Sequence, residues 1–259
     1  VVICLVLILG SGIEFIQLLI VRSFSYQDMF NNLTGSLLVL AFYRPISQVT
    51  SKIIRISVQS IAIIMLCISL LPLGIALTDK AIAHIQYPTL SNFETPIESW
   101  RWRGDALREI VHTRSAQGQN SMRIIFSPPD SNNVSLHYFP SEWDSYRFLK
   151  FSVFQDTKQS VRLRCKIFDR THLNNNLRTG DRFGKEFRLK KGWNNLQVSL
   201  EKVKNAPSNR NMKMDELICF QLFVPDLDQK LILFMDNLRL EHKETMESLN
   251  PKTDNYENK

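Results

Sequence analysis

The chain has 259 residues, of which 44% are hydrophobic, and its 32 Lys and Arg against 25 Asp and Glu give a formal net charge of +7. Basic and acidic residues are interspersed rather than gathered into runs, which argues against a nucleic-acid-binding arm. The average hides two unlike parts, because residues 1–87 contain only five of the basic and three of the acidic residues. This asymmetry predicts membrane helices followed by a separate domain that is large enough to bury its own core.

Three apolar segments, residues 1–21, 29–43 and 53–77, are predicted to be transmembrane helices. A helix needs about 20 residues to cross the hydrocarbon, so the second segment is short and the third is the clearest span. Because the sequence begins inside an apolar run, we expect further helices before it. The predicted domains are membrane helices in residues 1–79, a linker in residues 80–91, a folded domain in residues 92–241 and a charged, disordered tail in residues 242–259.

Strongly polar residues interrupt the first two apolar segments. Glu14 and Gln17 lie in the first segment, and Asp28, Asn31 and Asn32 open the second. Spacings of three and four residues place each set on one side of its helix. A carboxylate in hydrocarbon costs roughly 3 to more than 10 kcal/mol, so these residues form a candidate intramembrane polar site. The alternative is structural, with Asp28 as an N-cap at the membrane surface and Glu14 as a hydrogen-bonding acid between helices.

The joint spacing of these residues carries a resemblance. The pattern E-x-x-Q, an Arg a few residues on, and then D-x-x-N-N-x-x-G resembles the VanZ-like membrane family over residues 5–77. The resemblance implies a small multi-helix membrane protein, and one member of the family is associated with glycopeptide-antibiotic resistance. The residues that match are Glu14, Gln17, Arg22, Asp28, Asn31, Asn32 and Gly35.

Loop charges predict the orientation of the membrane part. The connection over residues 44–55 contains Arg44, Lys52 and Arg55, whereas residues 22–27 contain one basic residue. Positively charged loops stay on the cytoplasmic side, so residues 44–55 are expected there. The sequence therefore predicts a multi-pass protein of the cell membrane whose C-terminal domain is extracytoplasmic.

From residue 92 onward, short alternating runs are separated by Asn, Asp, Gly and Pro, which is typical of an all-β domain. Within residues 161–167, apolar residues alternate with Arg162, Arg164 and Lys166, so one side of this strand faces a core and the other faces water. The spacing predicts an antiparallel sandwich of two sheets. The predicted strands are residues 121–127, 147–155, 161–168, 185–189, 195–200, 217–224 and 231–240.

Four segments of this domain carry a second resemblance. In chain order, NFETPIESWRWRG, SEWDSYRFLKFSVF, GWNNLQVSL and LILFMDNLRL resemble the galactose-binding-like jelly rolls that include many carbohydrate-binding modules, over residues 92–240. Many such modules hold a structural Ca²⁺ between the F-E opening and the final D-N strand, which implies Glu94 and Asp236 as ligands here. The alternative is an Asp236 that forms a salt bridge near Arg239.

The candidate ligand-binding residues are mostly basic. Arg162, Arg164 and Lys166 share one face, neighbouring strands add Arg188 and Gln221, and the loop over residues 169–182 ends at Arg182. Guanidinium groups bind carboxylates and phosphates in two-point geometry, so an acidic or phosphorylated glycan is the expected partner, and the alternative is an ordinary solvated face.

The aromatic and sulfur-containing residues leave alternatives open. Trp102 is a second candidate, as an exposed face for a sugar ring, although a core position is the alternative. A Cys165–Cys219 disulfide fits an extracytoplasmic domain, and buried free thiols are the alternative. Trp143 and Trp193 are expected in the core or as cover for a sheet.

Three functions remain open from the sequence. The first is a VanZ-like membrane protein that displays a carbohydrate-binding sandwich for cell-envelope glycans or glycoconjugates, with no cofactor beyond the structural calcium. The second is an integral-membrane enzyme that acts on lipid-linked or cell-wall precursors with Glu14 or Asp28 as acid or base. The third is a structural or protein-interaction module. Zinc-ligand and nucleophile motifs do not occur in the sequence.

Overall fold

The computed structural model describes residues 26–42, 51–128, 133–175, 177 and 179–242. The chain divides into two compact units, Val1–Leu77 and Thr78–Lys259. The first unit contains the predicted membrane segments, and the second contains the β-domain. The predicted first segment, with Glu14 and Gln17, and almost all of the predicted tail lie outside the described residues.

The described residues of the apolar N-terminal part form two helices. Helix α1 spans Tyr26–Phe42, and helix α2 spans Lys52–Gln86. Within the described residues, α2 alone is long and apolar enough to cross a membrane, because the 17 residues of α1 fall short of the roughly 20 that a span needs. The predicted arrangement of several spans therefore has no support in the described part of the chain. The two helices touch where Ser69 Oγ donates to Thr34 Oγ1 at 3.4 Å.

The predicted linker over residues 80–91 is wrong. Helix α2 continues to Gln86, and Thr89–Ser91 forms strand β1, which pairs with the last strand of the domain. The final turns of α2 are fixed by Arg101, whose buried guanidinium donates to Asp79 Oδ1 at 2.7 and 2.9 Å and to the carbonyl of Leu90 at 2.8 Å. A buried cation must be paired and fully hydrogen-bonded, so these residues cannot form a free linker.

The β-domain is an antiparallel sandwich, as predicted. Sheet A has the order β3-β4-β11-β6-β9 with β1 added at β11, and sheet B has the order β2-β5-β10-β7-β8. The strands are β1 Thr89–Ser91, β2 Trp102–Arg103, β3 Leu107–Val111, β4 Ser121–Phe126, β5 Asn133–Leu136, β6 Phe148–Gln155, β7 Val161–Asp169, β8 Phe183–Leu189, β9 Gly192–Ser199, β10 Leu217–Phe223 and β11 Leu231–Glu241. Short helices complete the domain: 3₁₀ turns at Pro96–Arg101 and Thr179–Asp181, α3 at Arg170–Asn174 and α4 at Leu200–Lys204.

The core lies between the two sheets and follows the period of two. On β7, Leu163, Cys165 and Ile167 are fully buried, whereas Arg162 and Arg164 are exposed, which confirms the predicted alternation. Large apolar side chains from both sheets meet them, and each contributes about 1.5–3 kcal/mol by leaving water. Phe151, Phe220, Trp102 and Trp143 are among the largest fully buried side chains.

The two cysteines of the domain are free. Cys165 lies opposite Leu222 and faces the core, whereas Cys219 follows a register shift and lies opposite Phe168 on the outer side of sheet B. Side chains on opposite faces of a sheet cannot be joined by a disulfide. Burial raises the pKa of the Cys219 thiol to about 12, so this thiol is protonated and unreactive.

Candidate functional site

The outer face of sheet B gathers most of the predicted ligand-binding residues, and we call it the basic face. On β7, Arg162 lies opposite Arg188 of β8, and Arg164 lies between Glu186 of β8 and Phe223 of β10. Residues directly opposite on neighbouring strands project from the same side of a sheet. The basic face comprises Arg103, Asn133, Ser135, Arg162, Arg164, Lys166, Glu186, Arg188, Gln221 and Phe223.

Two of the cations on the basic face already have carboxylate partners. Arg162 Nη2 lies 2.6 Å from Asp226 Oδ2, and Arg164 Nε lies 2.7 Å from Glu186 Oε2. All four side chains are substantially exposed, and exposed pairs of this kind contribute about 0–1 kcal/mol to stability. A ligand anion could therefore compete for either guanidinium at little cost to the fold.

Lys166 is different, because it has no carboxylate partner within the described residues. Its Nζ lies 3.9 Å from the centroid of the Phe223 ring. Burial lowers the pKa of Lys166, and the nearby charges of Arg182 and Arg164 lower it further. An ammonium group in such surroundings would be stabilised by a bound anion.

Uncharged groups extend the basic face across sheet B, and Tyr138, which contacts Arg103 from the loop after β5, is counted with it. The side-chain amide of Gln221 approaches Asn133 Oδ1 at 3.5 Å on the neighbouring strand. On β2, the guanidinium of Arg103 lies 5.1 Å from the ring centroid of Tyr138 and donates to its hydroxyl at 2.7 Å. Strands β2 and β7, which contain Arg103 and Lys166, are three strand spacings or about 14 Å apart, which suits an extended ligand.

Trp102 is wrong as a ligand-binding residue, because it is fully buried and its indole Nε1 donates to Ser91 Oγ at 3.0 Å. In a strand, alternation would place Trp100 and Trp102 on one side, but Pro96–Arg101 forms a 3₁₀ helix that ends just before Trp102. Trp100 is 60% exposed as a result. Arg103, the next residue of β2, faces outward in its place.

Several residues of the basic face were not identified from the sequence. Phe223 lies in the apolar run of β10, where the register shift next to Cys219 makes inward and outward positions hard to assign. Asn133 and Ser135 belong to β5, a strand of four residues that is too short to show alternation. Tyr138 follows β5 in a loop, and only the three-dimensional pairing of β2 with β5 places it beside Arg103.

Glu94 and Asp236, the expected calcium ligands, hold one loop between them. Glu94 Oε1 accepts the backbone N–H groups of Gln119 and Asn120, and Asp236 Oδ2 accepts those of Ala116 and Gln117 at 2.7 and 2.9 Å. Gly118 allows this approach, because it has a φ of +70° and a Cβ there would overlap the Glu94 carboxylate. Arg239 bonds to Glu241 at 3.2 Å, so the alternative of an Asp236–Arg239 salt bridge is not observed.

The oxygen atoms around Asp236 suit a hard cation. Asp236 Oδ1 and Asn120 Oδ1 are buried without a hydrogen-bond partner. Burial raises the pKa of Asp236, and the negative charge of Glu94 adds to this, so a cation would relieve the cost of the carboxylate. Calcium accepts carboxylate, amide and water oxygens. The described residues contain no cluster of three His, Cys, Asp or Glu side chains, so backbone and water oxygens would have to complete the shell.

The candidate intramembrane site is described only in part. Asp28 lies in the first turn of α1, and Asn31 accepts a hydrogen bond from Gln27 at 3.2 Å. Asn32 is exposed. Because Glu14 and Gln17 lie outside the described residues, their position relative to Asp28 stays a prediction.

Comparisons with known proteins give similarity to solved structures only. No protein-family model and no curated protein matches the chain, so the resemblance of the N-terminal part to the VanZ-like family gains no support. Similar structures include a family 11 carbohydrate-binding module from Clostridium thermocellum in complex with a β-1,3-1,4-mixed-linked tetrasaccharide (11% identity, 60% of this chain and 94% of the module, TM-score 0.44). The xylan-binding CBM22-1 domain of Paenibacillus barcinonensis Xyn10C (17%, 59% and 92%, 0.38) and an exo-β-agarase (12%, 61% and 25%, 0.49) are similar as well. At these identities and TM-scores, nothing about the ligand of this chain follows from the similarity.

Proposed function

We propose that this protein is a membrane-anchored binding protein whose sandwich holds an acidic or phosphorylated glycan or glycoconjugate of the cell envelope on the basic face. Lys166 is the observation that carries the proposal: it lies over Phe223, beside Arg164 and Arg182, with no carboxylate partner in the described part of the chain. A ligand carboxylate or phosphate would pair with this ammonium group, and a charge-assisted hydrogen bond contributes about 1.5–3 kcal/mol.

The neutral groups of the basic face favour a sugar, rather than an inorganic anion, as its ligand. Phe223 and Tyr138 offer aromatic rings, and the amides of Gln221 and Asn133 can both donate and accept hydrogen bonds. Sugar hydroxyls need such mixed partners, whereas a phosphate ion needs donors alone. Rows of charged, amide and aromatic groups along one sheet therefore favour an acidic chain of several sugars.

Helix α2 would anchor the protein in the membrane, with the sandwich on the extracytoplasmic side. The support is the length and apolar composition of α2 together with the basic residues that precede and open it. Trp100 is 60% exposed, so a Trp100→Cys variant should react with a membrane-impermeant thiol reagent on intact cells. The labelling of the parent chain is subtracted to correct for the reaction of Cys67. If the new cysteine reacts only after lysis, the sandwich lies in the cytoplasm.

A glycan array probed with the full chain, in a detergent without a sugar headgroup, tests the proposed function. We expect the retained glycans to carry carboxylate or phosphate groups, and we expect binding to weaken as salt is raised, because exposed ion pairs are screened. Retention of neutral glycans alone, without dependence on salt, would contradict the proposal, and so would failure to bind any glycan.

A calcium ion held by Asp236, Asn120 and Glu94 is the second part of the proposal. Bound calcium would satisfy the two orphaned oxygens and fix the loop over residues 114–120. A ligand that binds only the folded state raises the melting temperature, so CaCl₂ should raise it and EDTA should reverse the rise. The rise should disappear in Asp236→Asn and persist in Asp226→Asn. If CaCl₂ does not change the melting temperature of the parent chain, this part of the proposal is contradicted.

A further inference from the structure

The outer face of sheet A is built from rows of side chains that cross three strands. Strand β6 pairs with β9 on one side and with β11 on the other, so outward residues of the three strands align. The row of Phe154 is aromatic, and the rows of Ser152 and Lys150 are polar. Listed from β9 through β6 to β11, the rows are Trp193–Phe154–Phe234, Asn195–Ser152–Asp236 and Gln197–Lys150–Arg239.

A cleft of about 460 Å³ lies over the two polar rows. Its wall is the loop that contains Ala116 and Gln117, whose backbone N–H groups are held by Asp236 Oδ2. The volume is at the lower end of the range for small-molecule sites, which fits one or two sugar rings rather than a polymer. We call this the polar cleft, and its lining includes Gln117, Lys150, Ser152, Asn195, Gln197 and Arg239.

The uncharged groups of the polar cleft match the hydroxyls of a sugar. Ser152 Oγ donates to Asn195 Oδ1 at 2.9 Å, which fixes the amide and leaves its N–H groups for a ligand. The side-chain amides of Gln117 and Gln197 make no hydrogen bond to other described residues. A sugar hydroxyl both donates and accepts, as these amides do.

In the row of Lys150, two cations share a single carboxylate, so this row has one positive charge in excess. Lys150 and Arg239 both pair with Glu241, the first through Oε2 and the second through Oε1. Their hydrogen bonds keep the pKa of Glu241 below its usual value, so this carboxylate stays ionised and offsets only one of the two cations. About a third of each basic side chain is exposed. One carboxylate on a ligand would balance the remaining charge.

An aromatic ring borders the polar cleft on one side. The rings of Phe154 and Phe234 are covered by Arg114, whose guanidinium lies 4.2 and 5.7 Å from their centroids. Trp193, at the β9 end of the row, makes no such contact with a described cation and lies edge-on to Phe154. Its ring can therefore lie against the apolar side of a sugar.

We propose that the polar cleft is a second sugar-binding site, on the sheet opposite the basic face, which takes a terminal uronic acid. The amides and Ser152 bind the hydroxyls of one ring, and Lys150 and Arg239 bind its carboxylate. The site shares no residue with the basic face, so it stands or falls independently of the glycan proposed there.

The test uses D-glucuronate as the probe and D-glucose as its uncharged counterpart. Binding to the full chain in a sugar-free detergent is followed by ligand-observed NMR at probe concentrations up to about 10 mM, a range that suits the weak affinity of a single ring. We expect glucuronate to bind at least tenfold more tightly than glucose, and Arg239→Gln to remove this preference. Asn195→Ala with Gln197→Ala should weaken both sugars tenfold or more.

Two controls keep the proposal open to contradiction. The residues Asn195 and Gln197 lie on the solvent side of an edge strand, so an unchanged melting temperature will show that the double variant folds. Lys204→Gln, which removes an exposed cation that pairs with Asp144 and belongs to neither face, should leave glucuronate binding unchanged. The proposal is overturned if glucuronate gives no signal, if it binds no better than glucose, or if its affinity responds to Lys204→Gln and not to the cleft variants. If binding to long acidic glycans is lost while glucuronate binding is kept, the result contradicts the site on the basic face and supports the separate site in the polar cleft.

Discussion

The two outer faces of the sandwich arise from the same alternation of side chains but differ in chemistry. On the basic face, Arg164 and Lys166 of β7 lie over the ring of Phe223, and Lys166 has no carboxylate partner among the described residues. On the outer face of sheet A, amide and hydroxyl groups line a cleft, and its two cations share Glu241. The first face suits a long anionic ligand, and the second suits a single acidic ring.

The difference shows which kinds of surface a sequence can reveal. The basic face is recognisable because β7 alone places three cations at every second position, Arg162, Arg164 and Lys166. Each row of the polar cleft takes one residue from β6, one from β9 and one from β11, and these strands lie far apart in the chain. Chemistry spread over three strands becomes visible only when the pairing register is known.

The largest expected effect on stability comes from removing the buried hydrogen bonds of Asp169, which lie next to the basic face and not next to the polar cleft. Asp169 ends β7 fully buried and accepts hydrogen bonds from Arg210 at 2.6 and 2.8 Å and from the backbone N–H of Lys213 at 2.9 Å. Asp169→Ala leaves Arg210 without this partner, and the free energy of unfolding should fall by about 3 kcal/mol in denaturant titrations. Hydrogen exchange should rise next to the basic face and not around the polar cleft.

The exposed pair of Asp226 and Arg162 provides the matched control for Asp169. Asp226→Asn also removes a carboxylate from an Arg, but the side chains of Arg162 and Asp226 are 46% and 73% exposed, so stability should change by less than about 1 kcal/mol. If the two variants lose the same free energy of unfolding, the buried hydrogen bonds of Asp169 do not stabilise the domain next to the basic face.

A smaller effect on stability is expected from pH, through His172, which lies just after strand β7 of the basic face. His172 is fully buried in α3, and both of its ring nitrogens lack a hydrogen-bond partner. Burial and then Arg182 lower the pKa of His172, and the acids Asp181 and Asp169 offset this only in part. Because the unfolded chain has the higher His pKa, stability is complete above pH of about 6.5 and is lost as the pH falls below that value.

Denaturant titrations between pH 7 and pH 5 check this dependence. One proton taken up on unfolding changes stability by at most about 1.4 kcal/mol per pH unit. His172→Leu should flatten the profile over this range, whereas His137→Gln, at an exposed position, should leave most of the slope. A profile that His172→Leu does not alter would assign the titration to other groups.

Much of the sandwich was predictable, and the failures have specific causes. The seven predicted strands are present with ends shifted by three residues or fewer, because runs of five or more alternating residues give a clear period. Strands β1, β2 and β5 have four residues or fewer and give no period. Strand β3 was also missed, because its sequence LREIV does not alternate between apolar and polar residues. Trp102 was misplaced because the 3₁₀ helix before it changes the direction of successive side chains, a local feature that propensity does not reveal.

The smallest expected effect concerns Arg162, which appeared equivalent to Lys166 in the sequence. In the structure Arg162 is paired with Asp226 at 2.6 Å, and its side chain is 46% exposed. Arg162→Gln should therefore weaken an acidic glycan less than Lys166→Gln does, and it should change stability by less than about 1 kcal/mol. Parallel titrations of both variants check the ranking, and a larger loss for Arg162→Gln would move the centre of the site toward Asp226.

The affinity of the full chain for an acidic oligosaccharide, hexagalacturonate, tests the central claim most directly, with its fully methyl-esterified form as the uncharged control. Arg164→Gln with Lys166→Gln should weaken hexagalacturonate well over tenfold, since each charge-assisted contact contributes about 1.5–3 kcal/mol. The matched variant Arg123→Gln with Lys191→Gln removes the same charge away from the basic face and should change affinity little. Equal losses in the two double variants, or equal binding of the acidic and esterified forms, would contradict the account.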